Sequence, residues 1–546
     1  MAVIKPGHFR FILFGTLLFS FASLADRAAS PGKNPYLADS QYAVTHDMAN
    51  FTSTAGPEGP SRQLAEEEII WKPIGPFNGA MLMYSGEYPT GKRVIWTGGY
   101  DRISKLDADT LEVLATYGIG DNSFFTEEEV RRHISIMDKS TDDEMVKYVQ
   151  KMWEEPAYSM PSWYRLLTRN NELFMGFRRP DGSVSIRAYG EEDNTNPASK
   201  IRLLREWKMP DEVGHVYGIY GLQMTHDGML VVATQDGVVI ALSPDFQNHY
   251  FLRIPGSVEN AKHANDLFNS YIRNGFTVDD QGGIYVVTRD NLHRIQWTGS
   301  KLSLDEKDGA WTSPYPNEVE TGSGTTPALM GWGDDEDHLV IITDGAKSNN
   351  AMVFWRDEIP QDWKGIPGYN RRVAGFTPVK FGISENEQVR VENSLVVKGY
   401  GAFIDNTRPV KTLPDQGNRQ KQWLGESYYM HVPGHEALGG TKVEWDPVSR
   451  QLKTAWNSQL NFVSSICHIS GATELLYCWG NRDREWTLEG VNWSDGTSAF
   501  HYRLGTSQKY NVFGGPIIVA PNGDIDCACN GGLGMVRVSP KQQNDK

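Results

Sequence analysis

A small set of polar residues in this sequence has the side-chain types needed for metal binding or proton transfer. Carboxylate and amide oxygens are preferred ligands of hard divalent cations such as calcium, and an imidazole beside a carboxylate suits general acid–base catalysis. The candidate metal ligands are Glu392, Asn393, Asn265 and Asp266. The candidate catalytic residues, which would move or orient a proton, are His435, His215 and Glu436.

The familiar local catalytic motifs are absent from the sequence. It contains neither a P-loop nor a Gly-x-Ser-x-Gly elbow, and Gly439 stands where a zinc-protease motif beginning at His435 would need its second histidine. An active site would therefore be assembled from distant parts of the chain. The alternative for each candidate is a structural role, because Asn and Asp also form turns and histidines often hydrogen-bond the backbone.

A repeated strand–turn–strand unit provides a framework that could bring distant residues together. Asp-Gly and Asn-Gly turns supply the positive φ that two-residue hairpins need, so each copy predicts an antiparallel meander. Three copies are clear: Leu222 to Leu242, Phe276 to Ile295 and Ile517 to Val538. Weaker copies fill the gaps: Ala80 to Tyr117, Tyr164 to Trp207, Ala328 to Phe354, Ser394 to Trp456 with a long insertion, and Phe462 to Leu504.

Meanders recurring at intervals of roughly forty to sixty residues predict an all-β protein folded as a β-propeller. The units indicate eight blades, with seven as the nearest alternative, and Ile69 to Ile74 is expected to complete the last blade. The segments that lead into the innermost strands of a propeller lie at one mouth of its central channel. We therefore expect the candidate site residues to converge there, together with Asn78.

Both ends of the chain are predicted to lie outside the propeller. Lys5, His8 and Arg10 precede an apolar run that ends at Ala25, which is the pattern of a cleaved signal peptide. The protein is therefore expected to be secreted or periplasmic, with no membrane span after signal removal. The predicted segments are a signal peptide (1–25), an exposed arm or linker (26–68), one propeller domain (69–540) and a tail (541–546).

One segment departs from the strand pattern. Thr126-x-x-Glu129 and Thr141-x-x-Glu144 are capping boxes that predict two short helices within residues 125–155, between the first two blades. These helices would either cover one end of the channel or pack their apolar stripe on a blade as a decoration. The packed decoration is favoured.

Charge and cysteine content restrict the partners and the redox chemistry. The net charge of −15 is spread along the chain without basic clusters, which excludes nucleic acid as a partner. Cys467 and Cys478 lie in apolar runs joined by a turn-like segment and are expected to form a disulfide. Cys527 and Cys529 are expected to be buried free thiols or a local disulfide, since a Cys-x-Cys pair alone is a weak metal signal.

Two stretches of the repeat can be compared with a known family: Gly322-Ser-Gly-Thr-Thr-Pro-Ala-Leu-Met-Gly331 followed by Leu339-Val-Ile-Ile-Thr-Asp344, and Glu392-Asn-Ser-Leu-Val-Val397. These stretches resemble the blades of the quinoprotein dehydrogenase-like (PQQ-like) propeller superfamily. The resemblance implies the propeller scaffold. Many enzymes of that superfamily cover the quinone with a disulfide between adjacent cysteines, whereas Cys527 and Cys529 are separated by Ala528, which argues against PQQ as a cofactor.

Three functions remain open at this point. The first is a metal-assisted enzyme that acts on a small organic molecule at the channel mouth. The second is a non-catalytic propeller that binds or assembles another protein or a polysaccharide, and the third is a PQQ-dependent dehydrogenase. The first requires convergent, partly buried titratable groups around a pocket, and the second requires an exposed apolar or aromatic patch.

Overall fold

Antiparallel meanders of short strands account for most of the computed structural model of this chain. The structure describes residues 32–38, 59–60, 68–75, 82–99, 101–119, 125–154, 160–179, 181–214, 216–257, 270–335, 337–383, 390–414, 419–512, 515–529 and 533–539. We number the meanders as units 1 to 8 in the order of their first strands.

Strand β1 (Ile69–Pro73) precedes unit 1 and pairs with the last unit. Unit 1 contains β2 (Met83–Tyr84), β3 (Val94–Gly98), β4 (Arg102–Asp107) and β5 (Val113–Gly118), and unit 2 contains β6 (Met160–Leu167), β7 (Leu173–Arg178), β8 (Val184–Glu191) and β9 (Ile201–Lys208). Unit 3 contains β10 (Ile219–Met224), β11 (Leu230–Thr234), β12 (Val238–Leu242) and β13 (His249–Arg253). Unit 4 contains β14 (Thr277–Val278), β15 (Gly283–Val287), β16 (Asn291–Trp297), β17 (Leu302–Ser303) and β18 (Trp311–Pro314). Unit 5 contains β19 (Ala328–Met330), β20 (Leu339–Thr343), β21 (Asn350–Trp355) and β22 (Val373–Pro378), and unit 6 contains β23 (Val396–Lys398), β24 (Gly401–Asp405), β25 (Leu438–Asp446) and β26 (Gln451–Asn461). Unit 7 contains β27 (His468–Ser470), β28 (Leu475–Arg482), β29 (Glu485–Asn492) and β30 (Ser498–Gly505). Unit 8 contains β31 (Ile517–Val519), β32 (Ile525–Cys529) and β33 (Gly534–Val538).

The core lies between neighbouring units, as stacked blades require. Along β11, Leu230 and Val232 pack with Ile186 of unit 2, whereas Val231 and Ala233 pack with Ile284 of unit 4. Successive side chains of a strand point to opposite faces, so a fully buried strand needs a neighbour on both sides. The predicted all-β propeller is thereby confirmed. Units 6 and 7 share a sheet only through the pair Asn461–Asn481. Of the eight units in the described chain, seven have four strands, counting β1 in unit 8, and unit 4 has five because β17 and β18 both pair with β16.

The N-terminal strand completes the last unit, as the sequence predicts. β1 pairs antiparallel with β33, from Ile69 opposite Val538 to Pro73 opposite Gly534. A residue near the start of the chain thus closes the sheet formed by its end. Pro73 lies at the end of this outer strand, where the missing amide hydrogen costs no central ladder bond.

In the described residues, three α-helices accompany the strands. They are α1 (Glu127–Lys139), α2 (Asp142–Glu154) and α3 (Arg419–Tyr429), with short 3₁₀ turns at Asp211–Val213, Glu306–Asp308 and Gln508–Tyr510. Both predicted capping boxes are present: Thr126 N donates to Glu129 Oε2 at 2.7 Å, and Thr141 N donates to Glu144 Oε2 at 3.0 Å. Helix α3 lies within the long insertion between β24 and β25 and was not predicted.

The three helices share one apolar cluster. Val130 of α1 and Val146 of α2 are buried with Leu424 and Tyr428 of α3 and with Leu533 of unit 8. Gln150 Nε2 of α2 also donates to the carbonyl of Lys421 at 2.9 Å. The predicted packed insertion is therefore present: α2 packs mainly on α3, whereas α1 packs on β1 of unit 8 and on the turn Gln508–Tyr510.

Part of the N-terminal segment before β1 packs against the propeller. The predicted signal peptide and tail lie outside the described residues, but residues 32–38 of the predicted exposed arm are packed: Leu37 is 2% exposed, and Asn34 Nδ2 donates to Met224 O at 2.8 Å. Asn34, Leu37 and Ala38 are buried against units 2 and 3, whereas Tyr36 is exposed, so this segment of the predicted arm is partly packed. In the described chain, no helix is both long and apolar enough to span a membrane.

The predicted disulfide between Cys467 and Cys478 is present, with the two Cα atoms 4.5 Å apart. Cys527 and Cys529 are buried free thiols, in agreement with the first of the two alternatives.

Candidate functional site

Segments that lead into the inner strands of neighbouring units meet at one end of the propeller. Arg273, which precedes β14, donates through Nη1 to Glu392 Oε2 at 2.7 Å, although the two residues are 119 positions apart. Asn274 Nδ2 donates to the carbonyl of Ser323, which precedes β19, at 2.8 Å. Lead-in segments of three units therefore meet around Glu392, but the partners brought to it are Arg273 and Arg390 and not the other predicted site residues.

Two arginines surround the Glu392 carboxylate. Arg273 bonds both carboxylate oxygens of Glu392, and Arg390 Nε donates to Oε1. Burial alone would raise the pKa of Glu392, but the positive charges of Arg273 and Arg390 outweigh it and lower the pKa to about 2. The group is therefore an ionised counter-charge at physiological pH and cannot serve as a general acid.

Arg273 is held in place by the backbone as well. Its Nε donates to Thr321 O at 2.8 Å and its Nη2 to Gly322 O at 3.4 Å, so the segment before β19 and the segment before β23 are joined through one guanidinium. A Cβ added at Gly324 would lie 1.9 Å from Val391 O, so only glycine permits this approach of the two segments.

A cleft of about 300 Å³ opens beside this cluster. In an antiparallel meander the second strand ends at the edge where the first strand begins, so the loops after second strands lie beside the lead-in segments. The lining of the cleft therefore comes from lead-in segments, from the loops after β20 and β24, and from α3. The residues that line it are Arg273, Val319, Thr321, Gly322, Gly324, Ala346, Lys347, Asn349, Arg390, Val391, Glu392, Thr407, Arg408, Thr412, Gln422, Trp423 and Glu426.

Arg408 differs from Arg273 and Arg390 because its side chain does not bond Glu392. It is half-buried, and its guanidinium makes no hydrogen bond to any residue in the described part of the chain. Burial lowers the pKa of Arg408, and the charge of Arg390 lowers it further, while Glu426 acts in the opposite direction. An arginine remains protonated even so, and this charge is available to a ligand.

The other metal-ligand candidates have contacts of a structural kind or lie beyond the described chain. Asn393 Nδ2 donates to Asp405 Oδ2 at 2.8 Å and to the carbonyl of Ser465 at 3.2 Å, which ties unit 6 to the segment leading into unit 7. Asn265 and Asp266 lie outside the described residues, as does Asn78. Their proposed role as ligands stays a prediction.

His435 and Glu436 do not line the cleft. His435 Nδ1 lies 2.8 Å from the carbonyl of Lys411, its ring meets the ring of Tyr429 edge-on at 4.4 Å, and Glu436 Oε2 accepts from Gly434 N at 2.7 Å. These contacts stabilise the turn after α3. The catalytic role proposed for both residues gains no support from the described geometry, and His215 lies outside the described residues.

The described residues do not fit a calcium–quinone pair at Glu392. Two guanidinium groups already neutralise this carboxylate and would repel a divalent cation. Within the described ranges, no three His, Cys, Asp or Glu side chains are grouped to hold a metal ion. The metal assignment stays a prediction that depends on the residues not described.

A second titratable group lies behind the cleft. Asp405 is 4% exposed and is bonded to Asn393, and burial raises its pKa to about 7, against a smaller opposing effect of that hydrogen bond. The sequence patterns did not indicate Asp405, Arg273 or Arg408, because the candidates were metal ligands and imidazoles in the lead-in segments. Two arginines near the same strand ends were a usable signal in the sequence: Arg390 lies two residues before Glu392, and Arg408 lies just after β24.

Fold and site together define a β-propeller with a charged cleft where its inner-strand lead-in segments meet. No protein-family model matches the chain. The chain is 31% identical over 509 residues to an uncharacterized protein of Archaeoglobus fulgidus, a match that covers 91% of this chain and 87% of the relative. The chain therefore belongs to the same protein family as this archaeal protein.

Solved propellers resemble the chain at low identity. The quinohemoprotein alcohol dehydrogenase of Comamonas testosteroni is 10% identical with a TM-score of 0.49, covering 96% of this chain and 84% of that chain. The Dos1 propeller is 11% identical with a TM-score of 0.46, covering 87% of this chain and 97% of that chain. These likenesses concern the scaffold alone, and they transfer no activity or residue role to this chain.

Proposed function

We propose that this protein is an exported propeller that binds a small organic molecule in the cleft beside Glu392. The observation that carries the proposal is the convergence of partly buried, ionised side chains around a cleft of about 300 Å³, at the lower end of the size range of small-molecule pockets. Export is supported by the signal-peptide pattern and by the disulfide between Cys467 and Cys478.

An assembly role would need a continuous apolar patch instead. Exposed large apolar side chains in the described chain come from different units and loops: Tyr36, Ile70, Val113, Ile136, Leu203, Tyr250, Phe251, Val319, Val410 and Val448. Only Tyr250 and Phe251 share a strand, and Val319 itself lines the cleft. The cleft, by contrast, is a defined cavity with a known set of lining residues.

The test is a binding screen with a cleft-blocking variant. A library of neutral, cationic and anionic small molecules is measured by calorimetry against the mature protein and against Ala346→Trp, which fills the cleft. Ala198→Trp, at an exposed surface position, is the matched control, and circular dichroism verifies the fold of both. Ligands lost in Ala346→Trp and kept in Ala198→Trp support the proposal. An absence of ligands, or binding that survives in Ala346→Trp, contradicts it.

A further inference from the structure

The charge of the cleft is opposite to the charge of the whole molecule. Four basic side chains line it, from Arg273, Lys347, Arg390 and Arg408, against the two carboxylates of Glu392 and Glu426. The complete chain carries a net charge of −15. A local excess of positive charge in an acidic protein concentrates anions at that point.

Internal contacts use some of these charges and leave others free. Glu392 neutralises Arg273 and Arg390, as described above. Glu426 Oε1 accepts from Leu413 N at 3.1 Å and from Gln422 Nε2 at 2.9 Å, so this carboxylate holds α3 to the preceding loop. Arg408 makes no guanidinium hydrogen bond within the described chain, and the Lys347 side chain is exposed.

The remaining walls of the cleft are suited to an apolar body. Trp423 of α3, Val319 and Val391 contribute to the lining. An indole face provides a large contact area for an aromatic or aliphatic group. The Arg408 guanidinium, which has no hydrogen-bond partner among the described residues, lines the same cleft. It matches a molecule with one anionic end and one apolar end, because guanidinium groups bind carboxylate and phosphate oxygens in pairs.

We infer that the ligand of this cleft is an organic anion, whose carboxylate or phosphate group is bound by Arg408 and Lys347 while its apolar part lies against Trp423. This inference rests on the proposed function, since it names the chemical class of the molecule bound at the same site.

Calorimetry with three matched probes tests the inference. Benzoate and phenyl phosphate carry the two anionic groups on the same apolar ring, and benzamide is the neutral counterpart. We expect at least one of the two anions to bind at least tenfold more tightly than benzamide. The anion that binds more tightly distinguishes a carboxylate ligand from a phosphate ligand.

Variants then assign the binding to the named residues. Arg408→Gln is expected to weaken binding of the anion at least tenfold. Lys347→Gln, at an exposed position that does not endanger folding, is expected to weaken binding of the anion about threefold or more. Arg132→Gln removes the same charge from the exposed surface of α1 and is expected to change affinity less than twofold. Raising the salt concentration should weaken anion binding.

Three results would overturn the inference: equal affinity for benzamide and the anions, full anion affinity in both Arg408→Gln and Lys347→Gln, or no binding of either anion at millimolar concentration. If the library screen still gives neutral or cationic ligands that Ala346→Trp excludes, the proposed function stands and only the anion assignment fails. If the screen gives no cleft-dependent ligand, both fail.

Discussion

At the scale of single residues, Glu392 holds together charges that would otherwise repel one another. It is 13% exposed in its side chain, and Arg273, its main partner, is 7% exposed. Sequence position alone marked Glu392 as important, since it precedes an inner strand in a polar segment. Its chemistry depends on Arg273, which is remote in the sequence and adjacent only in the folded ring.

Replacing Glu392 by Gln is therefore expected to be strongly destabilising. The change leaves the buried Arg273 charge without a counter-charge, and breaking a buried pair in this way costs about 3 kcal/mol or more. Urea unfolding measures the loss. Glu127→Gln, which removes one partner of an exposed α1 ion pair, should cost less than about 0.5 kcal/mol. Equal costs for the two variants would show that the Glu392 pair is not buried in solution.

Asp405 predicts a pH dependence of stability with a definite sign. Its pKa is raised by burial from 3.8 to about 7, so the folded protein holds this proton more tightly than the unfolded chain. The contribution of the group to stability is fully present below about pH 4 and is lost as the pH rises through 7. The free energy of unfolding of Asp405→Asn minus that of the parent should therefore rise by roughly 2–4 kcal/mol from pH 4 to pH 8.

Urea unfolding of both proteins at several pH values measures this difference. Asp280→Asn, at an exposed turn, is the comparison variant. A stability difference between Asp405→Asn and the parent that stays constant with pH would mean that Asp405 does not carry a proton in the neutral range.

At the scale of elements, the strands followed from local pattern and the third helix did not. The α3 sequence contains an interior glycine, Gly425, which weakens a helix by about 1 kcal/mol relative to alanine. A Cβ there would lie 2.7 Å from Gln150 Nε2 and 3.1 Å from Val146 Cγ1, so glycine allows α2 and α3 to pack closely. Helix α3 thus depends on the insertion between units 1 and 2, and it brings Trp423 to the cleft.

The disulfide of unit 7 should stabilise a short element. Cys467 and Cys478 are separated by 11 positions, and closing a loop of this length contributes about 2–3 kcal/mol by restricting the unfolded chain. A variant with both cysteines changed to Ala should lose this amount in urea unfolding without reductant. Dithiothreitol should lower the stability of the parent and leave the double variant unchanged. A parent that is insensitive to reductant would contradict this contribution.

At the scale of the whole molecule, ring closure is supported by a buried charge network between the last and first units. Arg537 of β33 donates to both carboxylate oxygens of Asp526, at 2.8 and 2.9 Å, and to the Tyr84 hydroxyl of β2 at 2.8 Å. Arg537 is 1% exposed and Asp526 is fully buried. One guanidinium therefore connects residues from opposite ends of the propeller sequence.

Arg537→Met is expected to lower the free energy of unfolding by about 3–5 kcal/mol, because it leaves the Asp526 carboxylate buried without a counter-charge. Adding Asp526→Asn should recover part of the loss. Arg503→Met removes an exposed partner of Glu485 on an outer strand and should cost less than about 1 kcal/mol. Urea unfolding followed by tryptophan fluorescence measures all three. A cost equal to that of Arg503→Met would show that closure does not depend on this network.

Local sequence patterns were enough to predict the strands, their meander connections, the closing strand β1, the capped helices α1 and α2, and the Cys467–Cys478 bond. These features depend on turn residues, alternation and caps that act over a few neighbouring positions. The sequence also marked Glu392 as a site residue through its place before an inner strand.

The surroundings of Glu392 became known from the folded chain and not from its sequence. Arg273 and Arg390 turn a candidate metal ligand into a counter-charge, and Arg408, Lys347 and Trp423 form a cationic cleft with an apolar wall. The physical reason is that electrostatic interactions depend on distance and burial in space, and a closed ring places segments more than a hundred residues apart within hydrogen-bonding distance.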